Sequence, residues 1–269
     1  MALFDVHAHL THPKLADALP TVIANARTAG LSTIVSNGLN PEDNEATRAL
    51  AAEHPDLIRP AFGLYPVDAV MPELLATGVD YPRTPSNYTP DDAVQWVREN
   101  ADEAIAVGEV GLDGYWVPEG LWDIQETRFR ALVQIAIDRD KPLIIHTRKR
   151  ERRAFEILSE MGAARVDWHC FGGRVKLARR IASELGHFFS IPANARRSQS
   201  FTRMLETLPR ESVLLETDCP YLAPEPGSTN EPSNVAGTAA YAAEVWEVPL
   251  EAAQEQLESN FERLFGVRP

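Results

Sequence analysis

His7 and His9 stand one residue apart in Leu3-Phe4-Asp5-Val6-His7-Ala8-His9-Leu10, a run that reads as a short apolar strand. Side chains alternate faces along a strand, so both imidazoles point the same way. Two imidazoles side by side at the end of a buried strand make half of a divalent-metal site, which carboxylates would complete. Taken alone, the pair is equally compatible with a polar strand end entering a loop. Other strand ends must supply the remaining ligands.

They do. Glu109 closes an apolar run in Val107-Gly108-Glu109-Val110-Gly111-Leu112-Asp113, and His146 closes Lys141-Pro142-Leu143-Ile144-Ile145-His146. His169 follows Asp167-Trp168, and Asp218 follows Leu214-Leu215-Glu216-Thr217. Four of the seven histidines fall at such positions, while His12, His54 and His187 read as loop or surface residues without a partner pattern. Burying like-charged carboxylates and unpaired imidazoles in one cavity without a cation is costly. The residue types therefore point to a metal centre built from His7, His9, Glu109, His146, His169 and Asp218. No Gly-x-Ser-x-Gly elbow suggests a serine nucleophile instead.

The elements that must position these groups are strands alternating with helical patterns. Candidate strands are Leu3–Val6, Thr33–Ser36, Ile58–Gly63, Ala104–Gly108, Leu143–His146, Val166–His169, Phe188–Ile191 and Val213–Thr217. Helical stretches lie between them: Ala16–Thr28, Glu42–Glu53, Pro90–Ala101, Gln125–Arg139, Arg150–Met161, Val175–Leu185 and Phe201–Leu208, with Val235–Trp246 and Leu250–Phe265 closing the chain. Eight strands, each followed by a helix or its remnant, is the count of a (β/α)₈ TIM barrel, whose active site sits at the C-terminal strand ends. No linker or repeat divides the chain, so residues 1–269 read as one domain. Met71–Thr89, punctuated by Pro72, Pro82 and Pro85, reads as the longest irregular stretch, either a tolerated surface insertion or a lid at the active-site end.

Composition excludes some classes. Hydrophobic content of 44% and charged content of 24% are those of an ordinary globular protein. No apolar run reaches membrane-spanning length, and Met1–Asp5 lacks the features of a secretory signal. Cys170 and Cys219 make no disulfide framework, which suits a cytoplasmic protein. A formal net charge of −13 argues against coating nucleic acid through a broad basic face. Local basic clusters remain, Arg148 to Arg153 after the fifth strand and Arg196-Arg197 after the seventh, which read either as phosphate-positioning groups or as solvated helix starts. Trp116 and Trp122 offer a stacking face for a base or a seal for the barrel rim.

In order and spacing, DVHAHL, GEVGLD, KPLIIHTR, HCFGG, ETDCPYL and NEP resemble the motifs of the TatD family of metal-dependent hydrolases, among the amidohydrolase-like barrels. The resemblance runs from Phe4 to about Phe265. It implies two divalent cations (magnesium, manganese or zinc), one held by His7, His9 and Asp218, the other by His146 and His169, with Glu109 bridging. It implies that Asp218 also takes a proton from the attacking water. Asp5 and Glu216, two residues before a ligand, are candidates to hold a ligand ring or a loop, and Asp113, Asn230 and Glu231 match motif positions at the rim. The chain departs from the family at Tyr65, where histidine is usual, and at Gly172, Cys219 and Thr229. No ligand is lost, and the departures fall where substrate would touch. Tyr65, Arg148, Asn230 and Glu231 are the candidate substrate contacts.

The expected activity is hydrolysis of DNA phosphodiester bonds, removing nucleotides from 3′ ends, with DNA, single-stranded or at a 3′ end, as partner. The alternative keeps the enzyme and changes the bond to an amide, ester or lactone of a small molecule. A closed pocket under Met71–Thr89 would favour the alternative, and an open groove along Arg148–Arg153 would favour a polynucleotide. A non-catalytic metal scaffold is the third reading, and the pairing of Asp218 with a bridging Glu109 argues against it.

Overall fold

A computed structural model describes residues 2–269. Eight parallel strands form one sheet in sequential order: β1 (Leu3–Ala8), β2 (Leu31–Asn37), β3 (Ile58–Phe62), β4 (Ala106–Asp113), β5 (Leu143–Arg148), β6 (Val166–Trp168), β7 (Phe188–Ile191) and β8 (Val213–Leu215). β8 returns to β1 beyond its own last residue. The Ala8–Cys219 bridge, Asp218 N–H to His7 O at 2.8 Å and His9 N–H to Cys219 O at 2.9 Å close the ring. The architecture is a (β/α)₈ TIM barrel.

The helices are α1 (Leu19–Thr28), α2 (Pro41–Glu53), α3 (Met71–Ala76), α4 (Pro90–Asn100), α5 (Trp122–Asp138), α6 (Glu151–Met161), α7 (Val175–Leu185), α8 (Gln199–Thr207), α9 (Val235–Trp246) and α10 (Leu250–Phe265). Their starts are written locally. Asn40 and Thr89 cap α2 and α4 by accepting from Asp43 N–H and Asp92 N–H, each followed by a proline whose missing N–H costs nothing there. α4 buries Pro90, Ala93, Trp96 and Val97, a helical spacing that lays one face on the sheet. Between barrel and helices lies an aromatic layer in which Phe171 and Phe189 pack edge to face at 5.2 Å beside Trp168, and Phe4 meets Phe261 of α10 at 4.8 Å.

Three expectations need correction. Met71–Thr89 is not irregular throughout, because its first residues form α3, with Pro72 in a first turn that tolerates it. Glu109 and His146 lie inside their strands rather than at the ends, since β4 runs on to Asp113 and β5 to Arg148. His187 is no surface residue: it is fully buried between sheet and helices. No helix among the described residues is long and apolar enough to cross a membrane.

Candidate metal centre

The six residues singled out by sequence converge at the C-terminal end of the barrel. His7 and His9 leave β1 on the same face, with their Nε2 atoms 3.2 Å apart. Glu109 divides its carboxylate between two sides. Oε2 lies 3.4 Å from both His7 Nε2 and His9 Nε2, while Oε1 lies 3.0 Å from His146 Nδ1 and 3.8 Å from His169 Nε2. Asp218 Oδ1 joins the first side, 3.4 Å from His9 Nε2 and 3.8 Å from His7 Nε2. Two groups, His7–His9–Glu109 and Glu109–His146–His169, each hold their ligand atoms within 4.8 Å of one another.

Backbone packing makes this approach possible. A side chain at Gly63 would sit 2.4 Å from the backbone nitrogen and oxygen of Glu109, so only glycine lets the end of β3 press against β4 there. At Gly111, with φ at +149°, a Cβ would fall 1.9 Å from the carbonyl oxygen of His146. Asp218 adopts a left-handed φ of +57°, uncommon for a residue with a Cβ. The turn is held by Asp5, whose carboxylate accepts from Thr217 N–H at 2.9 Å, from the Thr217 hydroxyl at 2.5 Å and from His7 N–H at 3.1 Å. Asp5 thus holds a loop, not a ligand ring.

Three of the four histidines have an outward nitrogen already engaged. His9 Nδ1–H donates to the Asn37 carbonyl at 3.2 Å, His169 Nδ1–H to Glu216 at 3.0 Å and His146 Nε2–H to Asp113 at 3.3 Å. A neutral imidazole has one N–H, so these partners turn the other nitrogen's lone pair inward. With the rings neutral, lone pairs of nitrogen and carboxylate oxygen face one another, an arrangement that a further ring proton or a divalent cation satisfies. Asp113 also accepts from Tyr115 N–H and Trp116 N–H, both at 2.7 Å, so it shapes the following loop and orients His146 at once.

Electrostatics agree with the geometry. Burial, with His169 beside it, pushes His7 down to about 3, leaving it a neutral donor. Burial also opposes charge on Glu109, yet contacts with His146 and His7 outweigh it and hold this carboxylate well below its ordinary range. On His169 burial is again overcome, by the Glu216 carboxylate, and the ring is raised to about 10. Without a cation His169 therefore carries a proton that ligation would displace.

The candidate substrate contacts separate. Tyr65 lies at the mouth, its ring centre 5.0 Å from that of His146. Arg148 is exposed, stacked 3.6 Å over the ring centre of Tyr115, with Lys149 at 4.8 Å. Asn230 is fully buried, its amide donating to Thr217 O at 2.8 Å and its oxygen accepting from Glu231 N–H and Asn234. Glu231 accepts from Asn25 of α1 and the Ser233 hydroxyl. Both residues thus secure the loop after Asp218 rather than face the mouth, because their polar atoms are already engaged.

The basic cluster after β5 is largely neutralised. Arg150 and Arg153 pair with Glu126 of α5, and Arg152 and Arg153 with Glu156. Arg196 pairs with Glu244, and Arg197 donates to Ala223 O. Trp122 donates to Val117 O and lies beneath Arg150, and Trp116 packs against Tyr81, so both seal the rim. The cavity under residues 71–90 is lined by Leu64, Asp68, Met71, Leu75, Tyr88 and Ala93 among others, and none of the six candidate ligands borders it. Sequence reading passed over Asn37, which acts through a backbone carbonyl. It also passed over Tyr115 and Tyr221, exposed rings flanking the mouth. Tyr221 lies 6.4 Å from the His9 ring and makes a 3.0 Å hydrogen bond with His12.

A family model described as TatD related DNase matches residues 4–266. The metal-dependent hydrolase YabD of Bacillus subtilis is 32% identical, over 98% of this chain and 99% of that protein. The deoxyribonuclease TATDN3 of Homo sapiens is 30% identical, over 98% of this chain and 95% of that one. Among solved structures, the TatD homologue YJJV from Escherichia coli superposes with a TM-score of 0.83 at 24% identity, covering 98% of both chains.

Proposed function

Since the chain belongs to the TatD-related DNase family of metal-dependent hydrolases, we propose that it is a single-domain, two-metal phosphodiesterase that removes nucleotides from the 3′ ends of DNA. The observation that carries this reading is the divided carboxylate of Glu109, with one oxygen toward His7 and His9 and the other toward His146 and His169. His7, His9 and Asp218 would hold one cation, His146 and His169 the other, and Glu109 both. When bound, the pair supplies Lewis-acid activation of water and neutralises charge on the phosphoryl oxygens.

The protein's own groups do the rest. Asp218, held below its ordinary range because His9 and the neighbouring imidazoles outweigh its burial, is ionised near neutral pH and accepts the proton of the attacking water. Asp113, Glu216 and the Asn37 carbonyl keep the histidine rings oriented. Arg148 and Lys149 have no carboxylate partner among the described residues and border the mouth beside the exposed ring of Tyr115. A cation pair next to an aromatic face suits a phosphate and its unpaired base. The names of the TATDN3 relatives agree with a DNA substrate.

One observation favours a second reading, hydrolysis of an amide, ester or lactone: Tyr65 places a neutral phenol beside His146. The discriminating experiment uses metal-stripped protein resupplied with magnesium, manganese or zinc and an end-labelled single-stranded DNA. A metal-dependent ladder shortening from the 3′ end, absent in Asp218→Asn, is expected. No cleavage by protein that has bound two cations, together with turnover of a small ester or lactone, would replace the first reading with the second.

A further inference from the structure

Arg83 is the only lysine or arginine between Leu64 and Thr89. It leaves the irregular loop after α3 and reaches back toward the barrel mouth. Its guanidinium lies 5.5 Å from the ring centre of Tyr65, whose ring is in turn edge-on to His146 at 5.0 Å. It thus sits one ring beyond a candidate ligand. One terminal nitrogen lies 3.0 Å from Asp68 Oδ2, and the carboxylate behind it is almost wholly buried while Arg83 keeps about 30% of its side chain exposed. The Tyr81 hydroxyl also meets the guanidinium, and the N–H groups not taken by Asp68 and Tyr81 are left for another partner.

We propose that Arg83 is a substrate-contacting residue that binds the backbone phosphate next to the one being hydrolysed, with Asp68 holding its guanidinium in place. This rests on the phosphodiesterase reading and names a determinant of it. A buried carboxylate paired with the guanidinium, with Tyr81 beside it, holds the planar group in place and still leaves N–H donors for an anion. Burial raises Asp68 to about 6 and Arg83 opposes that rise, so the anchor is ionised at neutral pH. Tyr65 contributes no charge here. A single-stranded nucleic acid carries a charge at every nucleotide, so a cation one ring from the centre meets the neighbouring phosphate.

The test compares wild-type, Arg83→Gln and Arg83→Lys enzymes, each metal-loaded, on a single-stranded oligonucleotide across a salt series. Thermal unfolding verifies that each variant is folded. Arg83→Gln is expected to raise KM on the order of tenfold with kcat little changed, as for the loss of one charge-assisted contact. The dependence of log KM on log salt should become shallower by about 0.7, the contribution of one phosphate on a single strand. Arg83→Lys, which keeps the charge and loses the fork, should restore the slope and only part of the KM. Wild-type turnover with unchanged KM and slope in Arg83→Gln overturns the assignment and leaves the phosphodiesterase reading standing. Absence of wild-type turnover on any phosphodiester overturns that reading and this assignment with it.

Discussion

Two groups of buried histidine in this barrel obey opposite rules. His187, in the layer between sheet and helices, is fully satisfied: Nε2–H donates to Ala163 O at 2.7 Å and Nδ1 accepts from Trp168 Nε1–H at 3.1 Å. Donor meets acceptor at both nitrogens, and burial drives this ring down to about 4, so it stays neutral. At the mouth, His7, His9, His146 and His169 turn nitrogens toward one another and toward Glu109 and Asp218, where neutral rings would set acceptor against acceptor until an extra proton, as on His169, or a cation relieves it. A histidine buried for packing brings complementary partners. Histidines gathered for a cation bring a shared deficit of positive charge. Burial alone does not separate the two cases; the sign of what each nitrogen faces does.

The sharpest way to break this contrast is Glu109→Gln. It should cost at least about a thousandfold in kcat by removing the shared carboxylate, with loss of bound metal measurable by elemental analysis. A variant that keeps both activity and metal would remove the distinction between the two groups. Asp218→Asn comes next. Asparagine tolerates the left-handed φ of +57° at this position, and the change takes one negative charge from the cluster. Activity should fall at least about a hundredfold, and because the imidazoles favour the ionised carboxylate, the metal-free variant should unfold below wild type at neutral pH. Unfolding at the wild-type temperature or above in chelator would show that the imidazoles do not hold Asp218 in its charged form.

Glu216→Gln keeps the shape of the group that orients His169 and removes its charge. Metal affinity should weaken by roughly ten- to a hundredfold, measured by titration of the stripped protein. His187→Gln should leave kcat unchanged and act on stability alone. The folded-state value of about 4 for His187 lies below the ordinary 6.5 of the unfolded chain. Its neutral form therefore supports the fold fully above about pH 6.5, and that support is lost as pH falls toward 4 at up to about 1.4 kcal/mol per pH unit. Denaturant titrations of the variant should show a flatter dependence across that window. An unchanged slope would mean that His187 is not the neutral, satisfied ring described above.

Much of the centre was legible in the sequence because each ligand interrupts or ends an apolar run. His7, His9, Glu109, His146, His169 and Asp218 follow strand-like stretches, and eight such stretches alternating with helices leave few architectures. What escaped acts across sequence distance or through the backbone. His187 looked like a loop or surface residue because Trp168, its hydrogen-bond donor, lies far off in sequence on β6. The arginines after β5 stayed open between a phosphate rim and a solvated helix start because Glu126, which takes two of them, sits on α5. Asn37 orients His9 through a carbonyl that every residue possesses. Asn230 was recognisable by motif position, yet whether its amide faces substrate or Thr217 O depends on how the loop folds back.

The closure of the barrel by Asp218 against His7 and Cys219 against Ala8 and His9 has a consequence for biosynthesis. His7 and His9 leave the ribosome more than 200 residues before Asp218. At ordinary elongation rates that interval is roughly 10–40 s. Throughout it the outer edge of β1 lacks the strand that will cover it, and such an edge invites pairing with another chain. The arrival of residues 213–219 seals that edge and completes the ligand set in one step. A nascent chain truncated before that point has neither a closed barrel nor the full set of groups for a cation, so metal retention by ribosome-bound intermediates would time the moment of closure.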